Sequence, residues 1–156
     1  MAIYQRLLCV VDLLEDTPAV AGRAAQLARS CGARLDLLHV FEFVPVEPMG
    51  ETLMPAVQIE EELIERARQR LAALAADLGL TDSELLVEAG SVKSEIIRVA
   101  RERDTDLIVI GSRERHGPSI LFNLTEDTVL HAAPCDVLAV RVSPSRNSPV
   151  KPNAKT

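Results

Sequence analysis

The sequence predicts an α/β protein with a small, doubly wound parallel sheet of five strands and helices on both faces. Strand-like and helix-like segments alternate from one end of the chain to the other. Most of the strand-like segments are short, uninterrupted apolar runs, which are typical of parallel strands covered on both faces. Alternating units of this kind, joined by right-handed crossovers, give a doubly wound sheet.

The first two strands are predicted at residues 7–11 and 35–40. Between them, Thr17 is an N-cap, and Pro18 suits the first helical position because it has no N–H to leave unsatisfied there. Gly32 ends this helix.

The stretch from Phe41 to Pro55 is predicted to be a loop. It contains Pro45, Pro48 and Gly50, which exclude a regular helix or a central strand. The loop either packs on the edge of the domain or forms a flap over the strand ends.

A long helix follows, and it ends at Gly79. Its apolar residues recur at spacings of three and four, so we expect all of them to face the core: Ile59, Leu63, Ala67, Leu71, Leu74 and Leu78. Its charges change from acidic at residues 60–62 to basic at 66–70, which suits the helix dipole and a solvated face.

The second half of the chain continues the alternation. An edge strand is predicted at 84–88, a helix capped by Ser91, a buried strand at 106–112, a short helix at 125–131 and a last strand at 137–142. Residues 1–142 are therefore expected to form one domain. Residues 143–156, rich in Ser, Pro, Asn and Lys, are expected to be a disordered tail.

Composition limits the classes of function. The chain has 156 residues and a net charge of −6, which argues against non-specific nucleic-acid binding. Its start lacks the apolar region of a signal peptide, and no apolar run is long enough to span a bilayer, so a cytoplasmic protein is expected. Three scattered cysteines, Cys9, Cys31 and Cys135, support neither a disulfide framework nor a zinc site.

The strand at 106–112 ends in Gly111 and Ser112, and ligands of open α/β sheets bind beyond such strand ends. A loop that cradles phosphate needs glycines, so that main-chain N–H groups can reach the anion. Glu114 stands close behind Gly111 and brings a side chain and a negative charge. The position suits a nucleotide, but the residues do not form a simple phosphate site.

Five segments together carry a family resemblance. They are LCVVD at 8–12, HV at 39–40, EAG at 88–90, DLIVIGSR at 106–113 and APCDVLAV at 133–140. In this order and at these distances they resemble the universal stress protein family, and the match covers residues 3–142.

This resemblance implies a fold related to the adenine nucleotide α-hydrolases, with the strand order 3-2-1-4-5. It also implies a homodimer formed by antiparallel pairing of the last strands. The interface would comprise Val137, Leu138, Ala139, Val140, Arg141 and Val142. An apolar edge strand would otherwise stay unpaired, unless the C-terminal tail covers it.

The family members that bind ATP look like Gly-x2-Gly-x9-Gly-Ser/Thr. Gly111 supplies the first glycine here, and Glu114 takes the place of the second. The final pair falls on Leu124 and Thr125, or on Asn123 and Leu124 if one residue is deleted. Two of the three glycines are missing under either alignment.

The residues around this loop have opposing effects on phosphate binding. Asn123 with Glu126 resembles a capping box, which would satisfy the helix N–H groups that a phosphate otherwise takes. Arg113, Arg115 and His116 could still attract an anion.

If a nucleotide does bind, the resemblance implies that the ligand is ATP or AMP with Mg²⁺. The candidate site residues are then Asp12, Val40, Gly111, Ser112, Arg113, Asn123 and Thr125. Asp12 would contact the adenine or ribose, or would accept N–H groups of its own turn through Asp16. Val40 would line the adenine pocket through its backbone, or would simply belong to the core.

The sequence predicts no catalytic site. It has no Gly-x-Ser-x-Gly, His-Glu-x-x-His or P-loop motif. Asp12, Glu114 and Glu126 could approach a divalent ion, but their spacing does not require one. His39 is expected to be buried, with its ring hydrogen-bonded. His131 is expected to interact with a helix dipole, and His116 is expected to face solvent.

We therefore expect a cytoplasmic, non-catalytic homodimer of the UspA-like branch, which lacks the ATP motif and uses no cofactor. It would act on unidentified protein partners through the dimer surface and residues 41–58, without nucleic acid or membrane. The alternative is a sensor that binds ATP or AMP. A third hypothesis, an enzyme of the adenine nucleotide α-hydrolase type, lacks both the glycines and a nucleophile.

Overall fold

Strands and helices alternate in the computed structural model, which describes residues 2–13, 17–42, 54–113 and 124–142. The strands are β1 (Arg6–Val10), β2 (Arg34–Phe41), β3 (Leu85–Ala89), β4 (Leu107–Arg113) and β5 (Asp136–Val142). The helices are α1 (Thr17–Cys31), α2 (Met54–Asp77), α3 (Val92–Glu102) and α4 (Leu124–Ala132). The tail expected at 143–156 lies outside the described residues.

The strands form one sheet in the order β3-β2-β1-β4-β5, and every pair is parallel. This confirms the predicted architecture, with β1 at the centre and β3 and β5 at the edges. Because parallel strands point the same way, the carboxyl ends of β1, β2 and β4 share one edge of the sheet.

Each face of the sheet is covered by its own apolar layer. Alternate residues of β1 point to opposite faces, so Leu7 and Cys9 pack with α1 and α2 while Leu8 packs with α3 and α4. Burial raises the pKa of the Cys9 thiol to about 12, because no solvent reaches the sulfur to stabilise a thiolate. Cys9 is therefore a small core residue, as the sequence indicated.

Two predicted helix starts need correction. α2 begins at Met54, so residues 54–58 are helical and do not belong to the predicted loop, while 43–53 lie outside the described residues. Pro55 does not prevent this, because a proline in the first turn removes only an N–H that has no helical partner. α3 begins after Ser91 as predicted, but the Ser91 side chain makes no capping hydrogen bond.

The apolar stripe of α2 faces the core over only part of its length. Ala67, Leu71 and Leu74 are buried, whereas Ile59 is 53% and Leu63 43% exposed, contrary to the sequence prediction. The helix has 24 residues and is therefore about 36 Å long, longer than the strands it covers. Both exposed residues lie in its first turns, where the stripe winds away from the core because residues four apart are offset by about 40° around the helix.

A closed ring of ion pairs lies at the amino edge of the sheet. Asp36 is buried and accepts hydrogen bonds from Arg34 Nε at 3.2 Å and Arg103 Nη1 at 3.1 Å. Glu84 closes the ring by accepting hydrogen bonds from Arg34 Nη2 at 2.6 Å and from Arg103 Nη2. The main-chain N–H of Glu84 also donates to Asp36. This charge ring joins the starts of β2 and β3 to the end of α3.

The charge ring makes stability depend on pH. The hydrogen bond from Arg103, together with the positive charges of Arg103 and Arg34, holds the pKa of Glu84 below its ordinary value. A carboxyl whose pKa is lower in the folded state stabilises the protein above its unfolded pKa. That contribution is lost as the pH falls through the folded pKa.

We expect Glu84→Gln to lower the free energy of unfolding at neutral pH and to flatten its decline between about pH 5 and pH 3. Urea unfolding across this range measures both effects. Glu61→Gln is the matched control, because Glu61 is exposed and has no ion pair among the described residues. An unchanged pH profile for Glu84→Gln would contradict the proposed role of the ring.

Candidate functional site: the strand-end crevice

The carboxyl ends of the three central strands bring the first candidate residues together. Asp12 follows β1, Val40 lies near the end of β2, and Gly111 and Ser112 lie near the end of β4. These strands are neighbours in the order β2-β1-β4. We call the region beyond their ends the strand-end crevice.

Asp12 connects the end of β1 to the start of α1. The Thr17 hydroxyl, on a side chain that is 4% exposed, donates to Asp12 Oδ1 at 2.7 Å. Asp12 itself is exposed. The alternative role of Asp12, accepting N–H groups of its own turn through Asp16, stays a prediction, because residues 14–16 lie outside the described residues.

Side chains from two other elements hold the main chain on either side of Asp12. His39 Nδ1 lies 2.8 Å from the Val11 carbonyl oxygen, and because a carbonyl only accepts, Nδ1 donates. The Arg70 guanidinium of α2 donates to the Leu13 carbonyl oxygen. The turn that presents Asp12 is thus fixed by β2 and by α2.

Leu13 shows that this turn is conformationally demanding. Its φ is 59°, in the left-handed region that residues other than glycine seldom occupy, and its side chain is buried in the core. Such strain persists only where the surrounding structure enforces it. The hydrogen bond from Arg70 and the buried side chain supply that enforcement. Sequence reasoning identified neither residue, since their contact spans 57 positions.

Two further predictions concern β2. His39 is half-buried, its ring is hydrogen-bonded, and it stacks on Phe41 with the ring centroids 6.5 Å apart. The hydrogen bond agrees with the prediction that the ring of His39 is bonded. The Val40 side chain points to the other face and belongs to the core layer under α3 and α4.

Packing favours glycine at position 111. A Cβ at this position would lie 3.0 Å from Val20 Cγ2 and 3.9 Å from Val142 Cγ2. The first distance is tighter than most carbon–carbon contacts in proteins, so Val20 of α1 would have to shift by a few tenths of an ångström to admit a side chain on β4. Packing therefore supplies a reason for Gly111 that does not involve a phosphate.

The rest of the predicted loop is only partly described. The main chains of Arg113 and Thr125 lie in β4 and α4, whereas their side chains are outside the described structure. Glu114, Arg115, His116 and Asn123 fall outside the described residues, and so does the predicted capping box. His131 lies in the last turn of α4, as predicted.

Two kinds of feature are absent from the described residues, 2–13, 17–42, 54–113 and 124–142. Within these ranges, no group of three or more His, Cys, Asp or Glu side chains is placed to hold a metal ion. No helix there has the length and apolar character needed to cross a bilayer.

Comparison with known proteins decides the family. Residues 3–141 match the model of the universal stress protein family. The chain belongs to the universal stress protein family. Its sheet order and the Gly111-Ser112 strand end agree with the resemblance found in the sequence.

Among its relatives, universal stress protein A homolog 1 of Coxiella burnetii is 36% identical over 138 residues, which are 88% of this chain and 96% of that protein. The solved structure of universal stress protein UspA from Lactobacillus plantarum has a TM-score of 0.70 at 22% identity. The alignment covers 90% of this chain and 100% of that one. A universal stress protein solved in complex with cAMP has a TM-score of 0.67 at 21% identity, covering 90% and 98%. At these identities the two structures establish the fold alone.

We expect Gly111→Ala to lower the free energy of unfolding by about 1–3 kcal/mol, because the added methyl group overpacks the contact with Val20. Chemical denaturation of purified protein measures the change. Gly22→Ala is the matched control: its Cβ would meet only Leu78 Cδ2, at an ordinary 3.9 Å. Alanine in a helix interior should raise stability there by about 0.5–1 kcal/mol. Equal effects of the two substitutions would contradict the packing argument.

Proposed function

We propose that this universal stress protein is a cytoplasmic, non-catalytic, homodimeric stress-response regulator of the UspA type, which acts on protein partners and does not bind ATP tightly. The observation that carries the proposal concerns the glycines of the strand-end crevice. Packing favours Gly111, because a Cβ there would lie 3.0 Å from Val20 Cγ2, and the other two glycine positions of the ATP motif hold residues with side chains.

Electrostatics supports the absence of tight ATP binding. Glu114 stands at the second glycine position and carries the same sign of charge as a triphosphate. Asp12 adds a second carboxylate at the same edge of the sheet. With fewer glycines, fewer main-chain N–H groups can approach a phosphate to offset this repulsion.

Two observations support a homodimer through β5. The strand order places β5 at an edge of the sheet, where no described strand covers its outer side. Val137, Leu138 and Val140 are only half-buried there, while Ala139 is exposed. An apolar edge strand of this kind favours pairing with a second copy.

The relatives support the UspA-type assignment. The Coxiella burnetii protein that is 36% identical is named universal stress protein A homolog 1. The non-catalytic role is supported by the sequence, which contains none of the nucleophile, metal-protease or P-loop motifs.

A nucleotide sensor is the second candidate, and one observation favours it. A universal stress protein of the same fold has been solved in complex with cAMP. In this chain Asp12, Val40 and the end of β4 lie at one edge of the sheet, where a nucleotide would be contacted. This function would need the adenosine part to supply most of the binding free energy.

Calorimetry with ATP and Mg²⁺, and separately with AMP, tests the absence of tight binding. We expect no binding with a Kd in the micromolar range. Glu114→Gly should strengthen ATP binding measurably, because it removes a repulsive charge and opens the main chain to the phosphates. Asp82→Gly is the control, since Asp82 is an exposed carboxylate before β3, at the opposite edge of the sheet from the crevice. Micromolar affinity of the unaltered protein would refute this part of the proposal and favour the sensor.

Light scattering coupled to gel filtration tests the dimer. Ala139→Lys should convert the dimer to a monomer, because a lysine on an edge strand opposes pairing with another strand. Ala89→Lys is the matched control: Ala89 is also exposed and lies at the end of the other edge strand, β3. Dimers that survive Ala139→Lys in about 1 M NaCl, which screens charged contacts elsewhere on the surface, or that dissociate equally with Ala89→Lys, would exclude β5 as the interface.

A further inference from the structure

α2 presents an exposed stripe of residues along its first turns and the turns that follow. Ile59, Glu62, Arg66, Gln69 and Ala73 recur at alternating spacings of three and four, and all five are exposed. This spacing places them on one side of the helix. We name these five residues the outer stripe.

The charges of the outer stripe are not neutralised by other residues that the structure describes. Glu62 and Arg66 take part in no ion pair among the described residues, in contrast to Asp36, Glu84, Glu88, Glu95, Glu102 and Asp104, which all do. Leu63 lies beside the stripe and is also exposed. The stripe thus combines apolar surface with one charge of each sign.

We propose that the outer stripe binds the outer stripe of a second copy of this chain, as an antiparallel pair of α2 helices. About a twofold axis near residue 64, Glu62 of each chain would lie beside Arg66 of the other. The Leu63 side chains of the two chains would approach each other next to the axis. The stripe is therefore complementary to itself in charge, which is what a symmetric interface requires.

This contact is additional to the dimer proposed through β5. α2 packs against the β2 and β3 side of the sheet, where Leu71 and Leu74 meet Leu85 and Val87. β5 lies at the opposite edge. Dimers joined through β5 would therefore associate further through α2.

The association should be weak and sensitive to salt. One pair of helices buries less surface than the roughly 1,200–2,000 Å² of a stable interface. Its charged pairs are screened when NaCl is raised to about 1 M, where the Debye length is about 3 Å.

Sedimentation velocity over a range of concentrations tests this contact in Ala139→Lys protein, where pairing through β5 is removed. We expect this protein to self-associate at high concentration. Glu62→Arg and Arg66→Glu, each made separately, should weaken the association at least about tenfold. Each substitution places residues of like charge opposite each other at both symmetry-related contacts between positions 62 and 66. Ile59→Ser should weaken it too, whereas Leu130→Ser, at a leucine of α4 that is 50% exposed, should not.

Mixing the two charge variants is the decisive measurement. The Glu62→Arg chain and the Arg66→Glu chain repel their own kind but present opposite charges to each other, so the mixture should form heterodimers. Changes within each helix are the same before and after mixing and cannot produce this result. Glu61→Arg and Arg68→Glu are the control pair, because both residues are exposed on α2 but lie off the outer stripe.

Three outcomes would overturn the proposal: Ala139→Lys protein that stays monomeric at every concentration, a mixture that stays apart, or control variants that behave like the stripe variants. None of these affects the β5 dimer, which is tested separately through Ala139 and Ala89. Conversely, if β5 does not pair, the α2 contact still appears as a monomer–dimer equilibrium of the unaltered chain.

Discussion

The structure depends on burying the central parallel strands on both faces. Leu8 and Cys9 of β1 are adjacent in the chain, point to opposite layers, and are both fully buried. The helices must therefore pack closely on each side of the sheet. α1 packs closely on β4, where Val20 occupies the space above Gly111. The geometry of the strand-end crevice follows from this packing, because the same helix begins with Thr17, which holds Asp12.

Local sequence signals were sufficient for most of the architecture. Apolar runs located the strands, Thr17-Pro18 marked the start of α1, and Gly111 marked a demanding position at the end of β4. The predictions that failed concerned contacts between elements, which a local sequence pattern does not reveal. The apolar spacings of α2 place Ile59 and Leu63 in one stripe with Leu71, but they do not show how much of that stripe the sheet covers. A proline rule likewise misplaced the start of α2, since Pro55 is harmless in a first turn.

The candidate site was predictable to a similar degree. Its position at the strand ends followed from the fold class, and the family resemblance supplied Asp12, Val40 and Gly111. The contacts of His39 and Arg70 with the main chain around Asp12 were not predictable, because β2 and α2 reach this turn only in three dimensions. Side chains that bond to main-chain carbonyls leave no residue-type signature at the carbonyl they bind. Glu114 and Asn123 distinguish the regulator from the nucleotide sensor, and both lie outside the described residues. The choice between these two functions therefore rests on the charge and hydrogen-bonding capacity of these residue types.

The charge ring lies at the end of the sheet opposite the crevice. It fastens β2, β3 and α3 together through Asp36 and Arg103, without help from any residue near Asp12 or Gly111. The ring thus fastens the amino edge of the sheet independently of the crevice. A substitution in the ring is therefore expected to change stability without changing which ligands or partners the crevice admits.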